Sequence, residues 1–185
     1  MKQSTTTSVG DIFQIPIDEN RVGFGQIVAR KLGPNPDLVI VFDFADSPSV
    51  GYSPDELKQI VEKPILLVAN TFDVLIKNGS WKKIGNLESQ LARVPLPCYK
   101  SGSGHFGRVA VESYDGKKRR IASREEIASL DNRNSVGPIR LEKALKAKYG
   151  LIPWTSSFDK ISLAHVQKAS EVSFGPLKSI VSIFG

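Results

Sequence analysis

The stretch from Gly10 to Arg30, GDIFQIPIDENRVGFGQIVAR, constrains the fold of this chain most strongly, because it has the pattern of a β-hairpin. Alternate positions of its first arm are apolar, which is typical of a strand with one buried face: Phe13, Ile15 and Ile17. The second arm also alternates, and its glycines, Gly23 and Gly25, leave room for a bulge or a close approach. The pattern predicts a short, strongly curved sheet founded on this hairpin.

Further strands are predicted on both sides of a short helix. Residues 38–42 and 65–68 are continuous apolar runs, which suit strands buried on both faces. Residues 72–76 alternate toward Asn78-Gly79, a dipeptide typical of a tight hairpin turn. A second hairpin is predicted where residues 106–111 and 118–121 flank Asp115-Gly116, and we expect it to extend the same sheet.

Helix starts are indicated by capping sequences. Ser53 to Glu56 and Ser123 to Glu126 are both capping boxes, in which a serine and a glutamate satisfy the first amides of a helix. A longer helix is predicted from Pro138 to the glycine Gly150, with Ile139 among its buried residues. A last helix is predicted over residues 157–167.

These elements predict an α+β fold within a single domain, residues 1–185. Its sheet is strongly bent, mainly antiparallel and in one alternative barrel-like, with a short crossing helix and a helical C-terminal third. Residues 1–9 are polar and are expected to fray, whereas the apolar tail, residues 172–184, is expected to dock.

Composition limits the kinds of site and the cellular location that this chain is expected to have. Cys98 is the single cysteine, so neither an internal disulfide nor a cysteine-based metal site is expected. No apolar run approaches the roughly 20 residues of a membrane helix, and we expect no membrane contact. A cytoplasmic location fits these features. The net charge of +6 gives a moderately positive field.

Four segments together resemble a known family: GDIFQIPI, GFGQIV, WKKIGN from Trp81 and PIRLEKALKAKYG from Pro138. They are similar to the bacterial immunity proteins of polymorphic toxin systems, in the family numbered twenty-six. Some relatives carry the name of a small phosphotriesterase instead. The resemblance implies a protein that neutralises a cognate toxin by stoichiometric binding, without catalysis, cofactor or metal.

Candidate contacts for such a toxin are aromatic and charged residues: Phe24, Asp43, Asp46, Trp81 and His105. The two aspartates follow a buried strand, and His105 lies in a glycine-rich loop. Trp81 could be a binding anchor, although a tryptophan beside a hairpin more often packs in the core. Because the chain is basic, we expect the toxin surface to be acidic or the contact to be largely apolar.

Two other functions remain open. A small hydrolase acting on phosphoester-type substrates could use His105 and nearby carboxylates, although only one other histidine is present and no metal-binding spacing is visible. The glycine-rich segment 102–109 resembles a kinase phosphate loop, but Glu112 stands where its lysine would be.

A nucleic-acid-binding module is the third hypothesis. It would use the basic run Lys117, Lys118, Arg119 and Arg120. Three aromatic residues are candidates for stacking on bases: Tyr99, Phe106 and Tyr114.

Overall fold

The structure is a computed structural model that describes residues 6–30, 36–102 and 108–174. The strands are β1 (Asp11–Pro16), β2 (Val22–Ala29), β3 (Asp37–Asp46), β4 (Ile65–Thr71), β5 (Lys82–Asn86), β6 (Tyr99–Ser101), β7 (Ala110–Glu112) and β8 (Arg119–Ile121). The helices are α1 (Pro54–Val61), α2 (Val74–Lys77), α3 (Arg124–Ser129), α4 (Pro138–Lys148), α5 (Ser156–Asp159) and α6 (Leu163–Ser170). A short 3₁₀ helix, Gln90–Arg93, follows β5. The predicted α+β class is confirmed.

These elements belong to two compact units. The first contains the described residues of Met1–Pro95 and Asn134–Val166, and the second those of Leu96–Arg133 and Gln167–Gly185. Of the N-terminal segment expected to fray, residues 1–5 lie outside the described residues. Thr7 is buried, and Arg30 donates hydrogen bonds to its carbonyl and hydroxyl oxygens at 2.6 and 2.7 Å.

The first unit contains a five-stranded antiparallel sheet in the order β4-β3-β2-β1-β5. The predicted hairpin is confirmed as β1 and β2, which pair from Ile12 opposite Gln26 to Pro16 opposite Val22. Register shifts interrupt the other three pairings, and such irregularities bend a sheet. Among the described strands β4 and β5 form the two edges and do not pair with each other, so the sheet is not closed into a barrel.

One face of this sheet packs against α4. The shared core contains apolar residues of β1, β3, β4 and α4, including Phe13, Val41, Leu67, Leu141 and Leu145. The glycines of β2 make this packing possible. A Cβ atom at Gly25 would lie 2.6 Å from the Phe13 ring, and one at Gly23 would lie 2.7 Å from Leu145. The predicted close approach at these glycines is therefore confirmed.

The predicted crossing helix is α1. Its capping box is present, because Ser53 accepts from the Glu56 amide and Glu56 accepts from the Ser53 amide. Its buried residues are Leu57, Ile60 and Val61. Leu57 lies directly over Gly85 of β5, where a Cβ atom would come within 2.5 Å of it.

The predicted hairpin at Asn78-Gly79 is wrong. Residues 74–77 form α2, and Asn78 has a φ of −86°, whereas a type I′ turn needs a positive φ at both central residues. Gly79, with a φ of +79°, instead follows Asn78, the C-cap of α2, in the position where glycine commonly ends a helix. The apolar alternation was misleading, because Val74 is exposed and Ile76 alone is buried in this turn of helix.

The second unit has its own three-stranded sheet, in the order β6-β7-β8. The predicted hairpin of β7 and β8 is confirmed, and Gly116 in its turn has a φ of +75°. It does not extend the first sheet, because β7 pairs on its other side with β6. The core of this unit is small and contains Cys98, Val111 and Leu130. Burial raises the pKa of the Cys98 thiol.

The C-terminal helices follow the prediction only in part. The long helix is confirmed as α4, with Gly150 at a φ of +77° just beyond its end. The predicted single helix over 157–167 is wrong, since α5 ends before Ile161 and α6 begins after it. The Ile161 carbonyl accepts a hydrogen bond from the Val68 amide at 2.8 Å, which diverts it from a continuous helix.

The start of the segment that carries α4 and α5 is also attached to β4. The Val136 amide donates to the Asn70 carbonyl at 2.9 Å, and the Val136 carbonyl accepts from the Thr71 hydroxyl at 2.8 Å. Residues 136–161 are thus hydrogen-bonded at both ends to the same edge strand. The tail beyond residue 174 lies outside the described residues.

Candidate partner-binding surface

Two of the predicted partner-binding residues are buried. Phe24 is 0% exposed and stacks on Phe44, with ring centroids 5.6 Å apart. Trp81 is 1% exposed and stacks on Phe13 at 5.3 Å, and its indole N–H points at Glu142, 3.4 Å away. Both rings therefore stabilise the core of the first unit and offer no surface to a partner.

The predicted aspartates lie at the end of β3, where each has a local partner. Lys148 donates to Asp43 Oδ2 at 2.9 Å, and Asp46 Oδ1 accepts the Ser47 amide at 2.7 Å. Asp43 thereby anchors the end of α4 to the sheet. His105 lies outside the described residues. Among the described residues, no group of three His, Cys, Asp or Glu side chains is placed to hold a metal ion.

Only part of the basic run from Lys117 to Arg120 is available to bind a nucleic acid. Arg120 makes a two-point ion pair with Glu126, and this hydrogen bonding raises the pKa of Arg120. Lys117 lies 3.8 Å from Asp115. Lys118 and Arg119 are exposed and pair with no carboxylate among the described residues.

The rings predicted to stack on bases are also engaged. The ring centroids of Tyr99 and Tyr114 lie 6.3 Å apart with the rings tilted by 41°, and the Arg133 guanidinium lies 4.6 and 5.5 Å from these centroids. Phe106 lies outside the described residues.

A groove between α4 and α5 is a candidate surface for a partner in the first unit. We call it the α4–α5 groove, and its lining residues are Gly137, Ile139, Arg140, Lys143, Ile152, Pro153, Thr155, Ser157 and Phe158. Ile139 is 47% exposed, so its predicted burial is wrong. It shares the outer face of α4 with Lys143, one turn on, whereas Leu141, Ala144 and Leu145 face the core.

Trp154 stands next to this groove in a fixed orientation. Its indole N–H donates to Asp159 at 2.7 Å, and its ring meets the buried Phe158 edge-on at 5.4 Å. It is nevertheless 41% exposed. A large aromatic side chain that is both exposed and held in place is typical of interface anchors, because little conformational freedom is lost on binding.

The electrostatics of the groove differ from those of the rest of α4. Lys146 pairs with Glu142 and Lys148 with Asp43, each at under 3 Å. Arg140 and Lys143 pair with no carboxylate of the described residues, and the groove lining contains no acidic side chain. The first turn of α4 also has no acidic residue, although the helix dipole favours one there. The groove is therefore positively charged and uncompensated.

This groove is not among the sites predicted from the sequence, although the sequence of α4 contains a signal for it. Plotted at 3.6 residues per turn, Ile139 falls with Arg140 and Lys143 rather than with the leucines of α4. An apolar residue on the polar face of a helix indicates a contact surface more directly than a tryptophan beside a strand.

Two polar residues, Asp11 and Gln26, lie in the segments GDIFQIPI and GFGQIV that resemble the family, and both have structural roles. The side chain of Gln26 is buried, and its amide donates to the Glu88 carbonyl at 3.1 Å and accepts from the Gln90 amide at 2.9 Å. Asp11 is buried at the start of β1 and pairs with Lys83 at 2.8 Å. These two side chains hold β1 and β2 to the segment around β5.

Asp11 should make the fold sensitive to acid. Burial raises its pKa, but hydrogen bonds from Lys83, Asn86 and Ser8 outweigh burial and hold the pKa below 3.8. The stability that ionised Asp11 contributes to the fold is thus fully present above the unfolded-state pKa, about 3.9, and is lost as the pH falls through the folded-state pKa. We expect Asp11→Asn to lower the free energy of unfolding by about 1–3 kcal/mol at pH 7 and to flatten the decline below pH 4. Urea unfolding from pH 3 to 7 measures both effects. If the free energy of unfolding fell equally steeply below pH 4 in the wild type and in Asp11→Asn, Asp11 would not be the source of the acid sensitivity.

None of the described helices is long and apolar enough to span a bilayer. No curated protein and no solved structure matches the chain. The family model described as Immunity protein 26 matches residues 8–105, more than half of the 185 residues. The match covers the five-stranded sheet and α1, whereas the α4–α5 groove lies outside it. The chain belongs to the Immunity protein 26 family.

Proposed function

We propose that this protein neutralises a cognate bacterial toxin by binding it one to one in the cytoplasm, without chemical turnover. The observation that carries the proposal is the family match over residues 8–105, because immunity proteins as a class protect against toxins. An exposed surface with an aromatic side chain, Trp154, and two cations that pair with no described carboxylate, Arg140 and Lys143, supports a binding role. Such complexes commonly bury about 800 Å² on each partner.

The architecture suits an inhibitor that is rigid before it binds. Leu141 and Leu145 fix α4 to the sheet, and Asp43 holds its last turn through Lys148. Side chains on a preorganised helix lose little conformational entropy when a partner contacts them, so more of the contact energy appears as affinity.

Titration of the toxin tests stoichiometric binding. With toxin held well above the dissociation constant, we expect its activity to fall linearly and to end at about one equivalent of this protein. A toxin of the same activity from another system is the control and should stay active. Neutralisation at a small fraction of one equivalent would contradict the proposal and favour the hydrolase hypothesis.

Nucleic-acid binding is the second candidate, favoured by the exposed Lys118 and Arg119. Since Arg120 is engaged by Glu126, we expect at most about three phosphate contacts. Affinity for single-stranded RNA should then fall no more than about 20-fold between 50 and 200 mM salt. Filter binding measures this slope, with Lys117→Glu/Lys118→Glu as the variant that removes it. A fall of several thousand-fold would contradict the reduced patch.

A further inference from the structure

We propose that the α4–α5 groove is the surface that binds the toxin, and that the toxin presents an acidic surface with a protruding apolar side chain to it. This inference rests on the proposed function and adds the location and chemistry of the contact. The inferred partner is a protein whose contact face is acidic rather than basic.

Charge complementarity is the first argument. Arg140 and Lys143 lie one turn apart on the same face of α4 and pair with none of the described carboxylates. Acidic residues are available on this helix and close to the groove, but each is engaged elsewhere: Glu142 by Lys146 and Asp159 by Trp154. The groove thus lacks internal counter-charges, and two carboxylates of a partner would supply them.

The exposed apolar side chains of the same segment of the chain are the second argument. Ile139, Leu151 and Trp154 are each more than 40% exposed within residues 139–154. A protein interface typically combines such an apolar centre with charged residues at its rim, and it is enriched in Trp and Arg. Trp154 is prepositioned by Asp159 and Phe158, which suits it to act as the anchor.

The same features argue against other occupants. A nucleic acid strand requires a row of cations that follows its phosphates, whereas the groove lining contains two cations beside apolar side chains. A second copy of the chain would carry a net charge of +6 toward a positive groove, so long-range repulsion opposes self-association.

The experiment compares two double variants of the full chain. Arg140→Glu/Lys143→Glu reverses the charge of the groove, and Lys117→Glu/Lys118→Glu is the matched control on the turn between β7 and β8. Both lower the net charge of +6 by four units, so any general effect of charge is equal. The probe is the protein that the tagged wild type retains from its host lysate, identified by mass spectrometry and then purified.

Calorimetric titration of each variant with the purified toxin measures the dissociation constant. The groove variant should raise Kd about 100-fold, whereas the control should change it less than about 3-fold. Trp154→Ala should raise Kd about 30-fold. The groove variant should keep the melting temperature of the wild type, since acidic residues suit the first turns of a helix.

A photo-crosslinking residue at position 139 identifies the contacting surface directly, with position 50 as the control because Val50 is 93% exposed in the loop between β3 and α1, outside the groove lining. Crosslinks from position 139 should map to a net-negative face of the toxin. Equal binding by both double variants, crosslinks to a second copy or to nucleic acid, or a basic contact face would overturn the inference. If the wild type binds and neutralises the toxin in those cases, the proposed function stands. A wild type that retains no toxin overturns both.

Discussion

Trp81→Ala is expected to lower the free energy of unfolding by about 3–5 kcal/mol, a large part of the stability of a typical domain. The ring is 1% exposed and stacks on Phe13. Its removal would leave a cavity between the sheet and α4, and Glu142 would lose the indole N–H that faces it. Urea unfolding monitored by circular dichroism measures this loss.

Trp154→Ala is the matched control for the same substitution. This ring is 41% exposed and packs mainly against Phe158, so we expect a stability change of less than about 1.5 kcal/mol. The two alanine substitutions should therefore have different effects, because Trp81 is required for folding and Trp154 for binding. If Trp154→Ala were the more destabilising of the two, the placement of both rings would be wrong.

Gly25→Ala is expected to destabilise the fold by about 3 kcal/mol or more, although it adds a single methyl group. The new Cβ atom would lie 2.6 and 2.7 Å from two atoms of the Phe13 ring and 2.8 Å from the Ile40 carbonyl oxygen. Neither neighbour can move easily, since the ring stacks on Trp81 and the carbonyl belongs to a central strand. Thermal unfolding of the purified variant measures the effect.

Gly51→Ala provides the comparison for this methyl group. No atom lies within 4 Å of a Cβ built at Gly51, and its φ is not in the left-handed region. We expect its melting temperature to match the wild type or to rise slightly, because alanine restricts the unfolded chain. Equal losses at both glycines would show that steric contact with Phe13 is not the cause.

Local signals in the sequence were sufficient for much of the fold. The β1–β2 hairpin, α1 and α4 could be predicted because their alternation, capping residues and glycines act within a few residues of the chain. Failures occurred where a distant partner decided the structure. Ile161 ends a helical stretch through its hydrogen bond to Val68, and no pattern near residue 161 announces that contact.

The candidate site was harder to predict than the fold. Trp81 and Phe24 are predicted as contacts because they are aromatic, yet large aromatic rings beside strands also fill cores, and both are buried here. Exposure depends on which face of an element meets the sheet. For α4 the helical period would have revealed that face, since Ile139 lies away from Leu141 and Leu145.

The attachment of residues 136–161 to β4 also bears on how binding specificity can change. The segment enters at Val136, bonded to Asn70, and leaves at Ile161, bonded to Val68, so its two ends meet one strand two residues apart. The residues between these two hydrogen bonds, which include α4 and α5, form one continuous segment attached to β4 at both ends. A replacement segment would need to preserve these two backbone hydrogen bonds, the apolar underside of α4 and the ion pair from Lys148 to Asp43. New recognition surfaces could thus be installed on an unchanged sheet.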